Sequence, residues 1–79
     1  MPIPLLRDLE ALAELFDLEI LQNDAGAYWG GIPWILVKDK QGNIAKIFLT
    51  EKGEFISTNN LPDVPMTKTK QPDKYIILI

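Results

Sequence analysis

Few acidic and hydroxyl residues of this chain have the spacing that a catalytic site requires. Glu51 and Glu54 flank a predicted turn, and paired carboxylates can act as acid and base only where a cleft excludes water. Ser57 is the single serine, and it lies across the same turn from Lys52 at a spacing that predicts no contact between them. These side chains predict a polar turn, and we expect no enzyme activity.

Metal and phosphate sites have sequence signatures that this chain does not match. Asp24, Asp39 and Asp63 are too far apart for a calcium loop, which places acidic residues at alternate positions before a glycine. The glycines between positions 26 and 31 lack the Gly-Lys-Ser/Thr ending of a phosphate loop. We therefore expect no catalytic residue, no metal ligand and no cofactor.

Aromatic residues around the Gly-Gly pair at positions 30–31 are the strongest candidates for binding. Such side chains stack on bases or hold proline-rich peptides, although large aromatic residues also fill the core of a small domain. The predicted binding residues are the three aromatic side chains near this pair and two residues from the strands that follow: Tyr28, Trp29, Trp34, Leu36 and Phe48. Core packing is the competing interpretation.

Composition narrows the class of protein. The 79 residues include no cysteine and no histidine, which excludes disulfides, thiolate nucleophiles and imidazole bases. A net charge of −3 with one arginine argues against nucleic acid as the partner. The start of the chain lacks a basic signal-peptide segment, and its longest apolar run, residues 75–79, is too short for a membrane helix. We expect a cytoplasmic protein that does not bind membranes.

Hydrophobic periodicity predicts one helix, over residues 4–16. Pro4 suits the first helical position, and Asp8 places a negative charge near the positive end of the helix dipole. Apolar side chains recur at helical spacing along one side of this segment, at Leu5, Leu9, Leu12 and Phe16. We expect this side to pack on a sheet.

The rest of the chain has the two-residue alternation of strands. The predicted strands are 17–22, 33–38, 44–49, 54–57 and 74–79. Residues 58–73 contain three prolines and are predicted to form a long loop. The final strand is apolar on both faces, which predicts a central position in the sheet or a position between subunits.

Two four-residue turns of matching form, ending in Gly42 and Gly53, join three of these strands into a meander. Glycine at this position is typical of a type I turn followed by a bulge. That turn places Asp39 opposite Asn43 in the first hairpin. One sheet face then carries Ile35, Val37, Ala45, Ile47, Leu49 and Phe55, and the other carries Trp34, Leu36, Ile44, Phe48 and Ile56, interrupted by Lys38 and Lys46.

The sequence therefore predicts a single small α+β domain spanning residues 1–79. Its N-terminal helix packs on a curved antiparallel sheet of about five strands, a β-meander or a small open barrel. One helix covers only one of two apolar faces, so we expect a non-catalytic protein–protein interaction or regulatory module, homo-oligomeric or a small subunit of an assembly. The alternative is a barrel-like domain whose aromatic platform (Tyr28, Trp29, Trp34) binds single-stranded nucleic acid or peptide.

Overall fold

The computed structural model describes residues 6–24, 32–71 and 73–78, which form one helix and six strands. The elements are α1 (Leu6–Leu15), β1 (Glu19–Asp24), β2 (Trp34–Lys38), β3 (Ile44–Leu49), β4 (Phe55–Ser57), β5 (Met66–Lys68) and β6 (Tyr75–Ile77). All neighbouring strands are antiparallel, in the order β1-β2-β3-β4-β6-β5. The predicted α+β fold is confirmed, with one strand more than expected and with the sheet open.

The helix buries the side that its periodicity predicts. Leu9, Leu12 and Ala13 are buried, and Asp8 lies in the first turn. Pro4 and Leu5, which were expected to begin the helix, lie outside the described residues. The buried side packs against β1, β2 and β3, so α1 crosses one half of the sheet.

A left-handed residue, Asp17, ends the helix at φ 58°. The Leu18 N–H donates to the Ala13 carbonyl at 2.8 Å, and the Asp17 N–H donates to the Glu14 carbonyl at 3.2 Å. This pair of bonds is the Schellman motif, and the burial of both Leu18 and Ala13 supplies its usual apolar contact. The predicted strand start at residue 17 was wrong, because residues 17 and 18 close the helix and β1 begins at Glu19.

Both predicted hairpins have the expected geometry. The Asp39 N–H donates to the Asn43 carbonyl at 2.9 Å, and the Thr50 N–H donates to the Glu54 carbonyl at 2.9 Å. Each turn needs a positive φ at its last position, which glycine adopts without steric penalty, and φ is 89° at Gly42 and 84° at Gly53. These turns set the register of β2, β3 and β4.

The segment that was predicted to be a long loop contributes a strand and two core residues. Leu61 is fully buried and Val64 is 3% exposed, and Met66–Lys68 forms the edge strand β5. β6 lies between β4 and β5, which is the central position, one of the two that its apolar faces predicted. The loop prediction was wrong because β5 pairs with β6, the strand that follows the next turn. The composition of residues 58–73 alone does not reveal this pairing.

The core lies between the helix and one face of the sheet, which we call the covered face. Its buried apolar residues are Leu9, Leu12, Ala13, Leu18, Ile35, Val37, Ala45, Ile47, Leu49, Leu61, Val64 and Ile77. Those that belong to strands β2 and β3 are the ones that the turn geometry assigned to one side. The opposite side of the sheet, the open face, carries Trp34, Leu36, Phe48, Ile56 and Ile76.

Candidate functional site

The open face has a row of large apolar side chains on four adjacent strands. Trp34 pairs with Phe48, Phe48 with Ile56, and Ile56 with Ile76. In the next row, Leu36 pairs with Lys46. All six side chains are half-buried. The helix and the buried loop residues belong to the core on the covered face.

Two lysines lie against the aromatic pair of this row, Trp34 and Phe48. The Lys46 Nζ is 4.1 Å from the centroid of the Trp34 ring and 5.3 Å from that of Phe48. The Lys74 Nζ is 5.3 Å from the centroid of Phe48. An ammonium over a ring is attracted by the negative charge of the ring face, while the methylene chain covers apolar surface. The open face therefore combines an apolar centre with positive charge.

Strand register gives the open face its composition. Side chains alternate along a strand, so a shift of one residue would move Trp34 and Phe48 to the covered face. The Asp39–Asn43 bond prevents that shift in the β2–β3 hairpin, and the Thr50–Glu54 bond prevents it in the β3–β4 hairpin. Two glycine turns thus hold the aromatic pair in place.

Of the predicted binding residues, three are brought together on the open face: Trp34, Leu36 and Phe48. Tyr28 and Trp29 lie outside the described residues. Ile76 and Lys74 were not predicted as site residues, because only the pairing of β6 with β4 places Ile76 beside Ile56 and Lys74 over Phe48. The apolar character of residues 75–79 on both faces was the signal in the sequence for Ile76, and it did not extend to Lys74.

A shallow polar cleft of about 330 Å³ lies where the helix end meets the β2–β3 turn. It is lined by Asp17, Leu18, Glu19, Lys38, Asp39 and Lys40. The Lys40 Nζ lies 2.7 Å from the Asp17 carboxylate, and both side chains are mostly exposed. The hydrogen bond to Asp17 and its charge raise the pKa of Lys40. This ion pair joins the helix end to the turn.

Asp39 in the same cleft is the acceptor at the centre of its turn. Its carboxylate accepts hydrogen bonds from the Asn43 Nδ2 at 3.0 Å, the Asn43 N–H at 2.8 Å and the Gln41 N–H at 2.9 Å. The Asn43 side chain, followed by these backbone donors, lowers the pKa of Asp39. Donors that stabilise a carboxylate within its own turn indicate a structural role.

The side chains considered for catalysis are separated or already bonded. Glu51 and Glu54 are exposed at the β3–β4 turn. Ser57 is fully buried, and its hydroxyl donates to the Asn59 carbonyl at 2.6 Å. Among the residues that the structure describes, no three acidic side chains are grouped so that they could hold a metal ion.

Comparison with known proteins adds no assignment to this geometry. No family model matches the sequence, and no curated protein or solved structure is significantly similar to the chain. The structure defines a small α+β protein with a helix on one face of a six-stranded antiparallel sheet. Within the described ranges, no helix has the length and apolar character that crossing a membrane requires.

Proposed function

We propose that this protein is a non-catalytic interaction module that binds another protein chain through the open face. The observation that carries this proposal is the row formed by Trp34, Phe48, Ile56 and Ile76 on the side of the sheet away from the helix. The partner is either a second copy, which gives a homo-oligomer, or another subunit of an assembly. We propose a cytoplasmic location as well, because the chain has no cysteine.

The composition of the open face supports this proposal. Aromatic residues are enriched at the centres of interfaces, where their size gives large contact areas at a small loss of conformational entropy. Trp34 and Phe48 are neighbours in the row on the open face, and half-buried aliphatic side chains, Leu36 and Ile56, lie beside them.

A second candidate is the binding of single-stranded nucleic acid or peptide on an aromatic platform. The juxtaposition of Trp34 and Phe48 with Lys46 and Lys74 favours it, because bases stack on rings and lysines contact phosphates. The net charge of −3 opposes it for nucleic acid.

Site-specific photo-crosslinking tests the interaction face. A photoreactive amino acid replaces Ile44, which is 46% exposed at the margin of the open face, and in a matched control it replaces Leu15, which is 66% exposed at the end of the helix. In cells that make the protein, we expect crosslinked protein from position 44 and little from position 15. A self-crosslink would identify a second copy. Equal yields from both positions, or none from either, would contradict the proposal.

A further inference from the structure

We infer that the occupant of the open face is an acidic segment of a partner protein, with one or two apolar side chains that pack on Trp34 and Phe48. This inference rests on the proposed function and adds the chemistry of the partner. It follows from the distribution of charge over the molecule, the size of the apolar row and the position of the two ammonium groups.

The two sides of the molecule differ in charge. On the open face, lysines lie at three places and acids lie on the edge strand β1: Lys38, Lys46, Lys74, Glu19 and Asp24. Lys46 and Lys74 place two ammonium groups over Phe48, while Asp24 pairs with Trp34 at the β1 edge of the face. The outer side of the helix carries exposed acids at Asp8, Glu10 and Glu14. A partner that docks on the centre of the open face therefore meets lysine, and acidic side chains complement it.

The ammonium groups are placed to hold carboxylates at the border of the apolar row. Each lysine ammonium has three N–H donors, and packing on a ring does not use all of them. Lys46 lies in the row next to Trp34. Lys74 lies on the same face, at the start of β6, and its ammonium group reaches Phe48. An apolar side chain bound between them would have one positive group on each flank.

The dimensions of the row fit a short segment better than a second copy of the domain. From β2 to β6 the row crosses three strand spacings, about 14 Å, and from Trp34 to Leu36 it extends about 7 Å. This length corresponds to about four residues of extended chain. A stable dimer buries about 800 Å² on each partner, which is well beyond this row.

Symmetry also disfavours a second copy. In a two-fold dimer the same patch lies on both sides of the interface. A surface that carries Lys46 and Lys74 would then face a surface that carries the same lysines, and like charges repel at an interface from which water is excluded. An acidic segment from a different chain avoids that repulsion.

Selection from a library of random peptides of roughly twelve residues tests the inference without assuming a sequence. The native protein is the target, and Lys46→Glu/Lys74→Glu is the counter-target. We expect the selected peptides to carry Asp or Glu on both sides of an aromatic or aliphatic residue. In NMR titrations these peptides should shift resonances of β2, β3, β4 and β6 at the open face.

The lysine variants show whether charge carries the recognition. We expect the double reversal to weaken peptide binding on the order of a hundredfold. Lys68→Glu is the matched control, because Lys68 is exposed and pairs with Tyr75 on the other side of the sheet, and it should bind as the native protein does. If the double reversal does not fold, as judged by circular dichroism, Lys46→Gln/Lys74→Gln replaces it with a smaller expected loss.

Four results would overturn the inference. They are selection of basic or uncharged peptides, equal binding by native protein and the lysine variants, a dimer whose interface maps to the open face, and open-face shifts caused by oligothymidylate but not by the selected peptides. Crosslinking from position 44 separates this failure from that of the proposed function. A crosslink from position 44 to a protein whose binding is insensitive to the lysine reversals would support the open face as the interaction site. The same result would contradict an acidic partner.

Discussion

The Lys46 Nζ lies 4.1 Å from the centroid of the Trp34 ring, on the side of the sheet opposite the helix. The two residues belong to neighbouring strands and to adjacent rows, so the lysine crosses diagonally over the ring. This arrangement keeps a large aromatic side chain partly covered on the face that α1 does not reach. It also places positive charge beside the apolar row.

The two faces of the sheet should respond differently to the same substitution. Ile47 is fully buried on the covered face, and Ile56 is half-buried on the open face. We expect Ile47→Thr to lower the free energy of unfolding by about 2–4 kcal/mol, because it buries a hydroxyl and leaves a cavity. Ile56→Thr should lower it by about 1 kcal/mol or less. Urea denaturation measures both, and equal losses would mean that the open face is part of the core.

The hairpin glycines should be replaceable only at the cost of backbone strain. Gly42 and Gly53 have positive φ, and a methyl group added at either position would meet no other atom within 4 Å. We expect Gly42→Ala and Gly53→Ala each to lower the unfolding free energy by about 1 kcal/mol. Gly42→Asn is the control, because asparagine tolerates this conformation and should lose less. An alanine variant as stable as the native protein would contradict this account of the turn.

Two substitutions at the end of the helix measure the cost of its left-handed residue. Asp17 adopts φ 58°, a conformation that glycine reaches without strain. Asp17→Gly and Asp17→Ala both remove the carboxylate that pairs with Lys40, so the difference between them reports the backbone alone. We expect the glycine variant to be more stable than the alanine variant by about 1 kcal/mol in thermal or urea unfolding. Equal stabilities would show that the helix end relaxes in the variants.

Stability should fall at acidic pH in part through Asp39. Its pKa is lowered by the Asn43 side chain and by backbone donors in the turn. A carboxyl whose pKa is lower in the folded state contributes stability that is fully present above its unfolded value, about 3.9, and is lost as pH falls through the folded value.

Asp39→Asn removes this titration. We therefore expect the urea midpoint of the native protein to decrease more steeply below about pH 4 than that of the variant. Measurements over the acidic range, at constant ionic strength, compare the two slopes. Parallel curves would show that the hydrogen bonds of Asp39 do not favour its charged form.

The parts of the fold that depend on a few consecutive residues were predictable. Gly42 and Gly53 determine their turns through backbone geometry within four residues, so the sequence alone was enough to assign Trp34, Leu36 and Phe48 to one face. The end of the helix was less accessible. Asp17 continues the alternation of the strand that follows, and only its left-handed conformation shows that it closes α1.

Tertiary structure decided what lies beside the aromatic pair. β6 pairs with β4 on one side and with β5 on the other. This pairing brings Ile76 beside Ile56 and Lys74 over Phe48, and it turns part of a proline-containing segment into an edge strand. Such pairing depends on which distant segments bury the most apolar surface together, and no local pattern specifies it. The sequence by itself determined the turns, the faces and the lack of cysteine and histidine chemistry. The structure alone determined that Lys46 lies over Trp34 and Phe48, and that Lys74 also lies over Phe48.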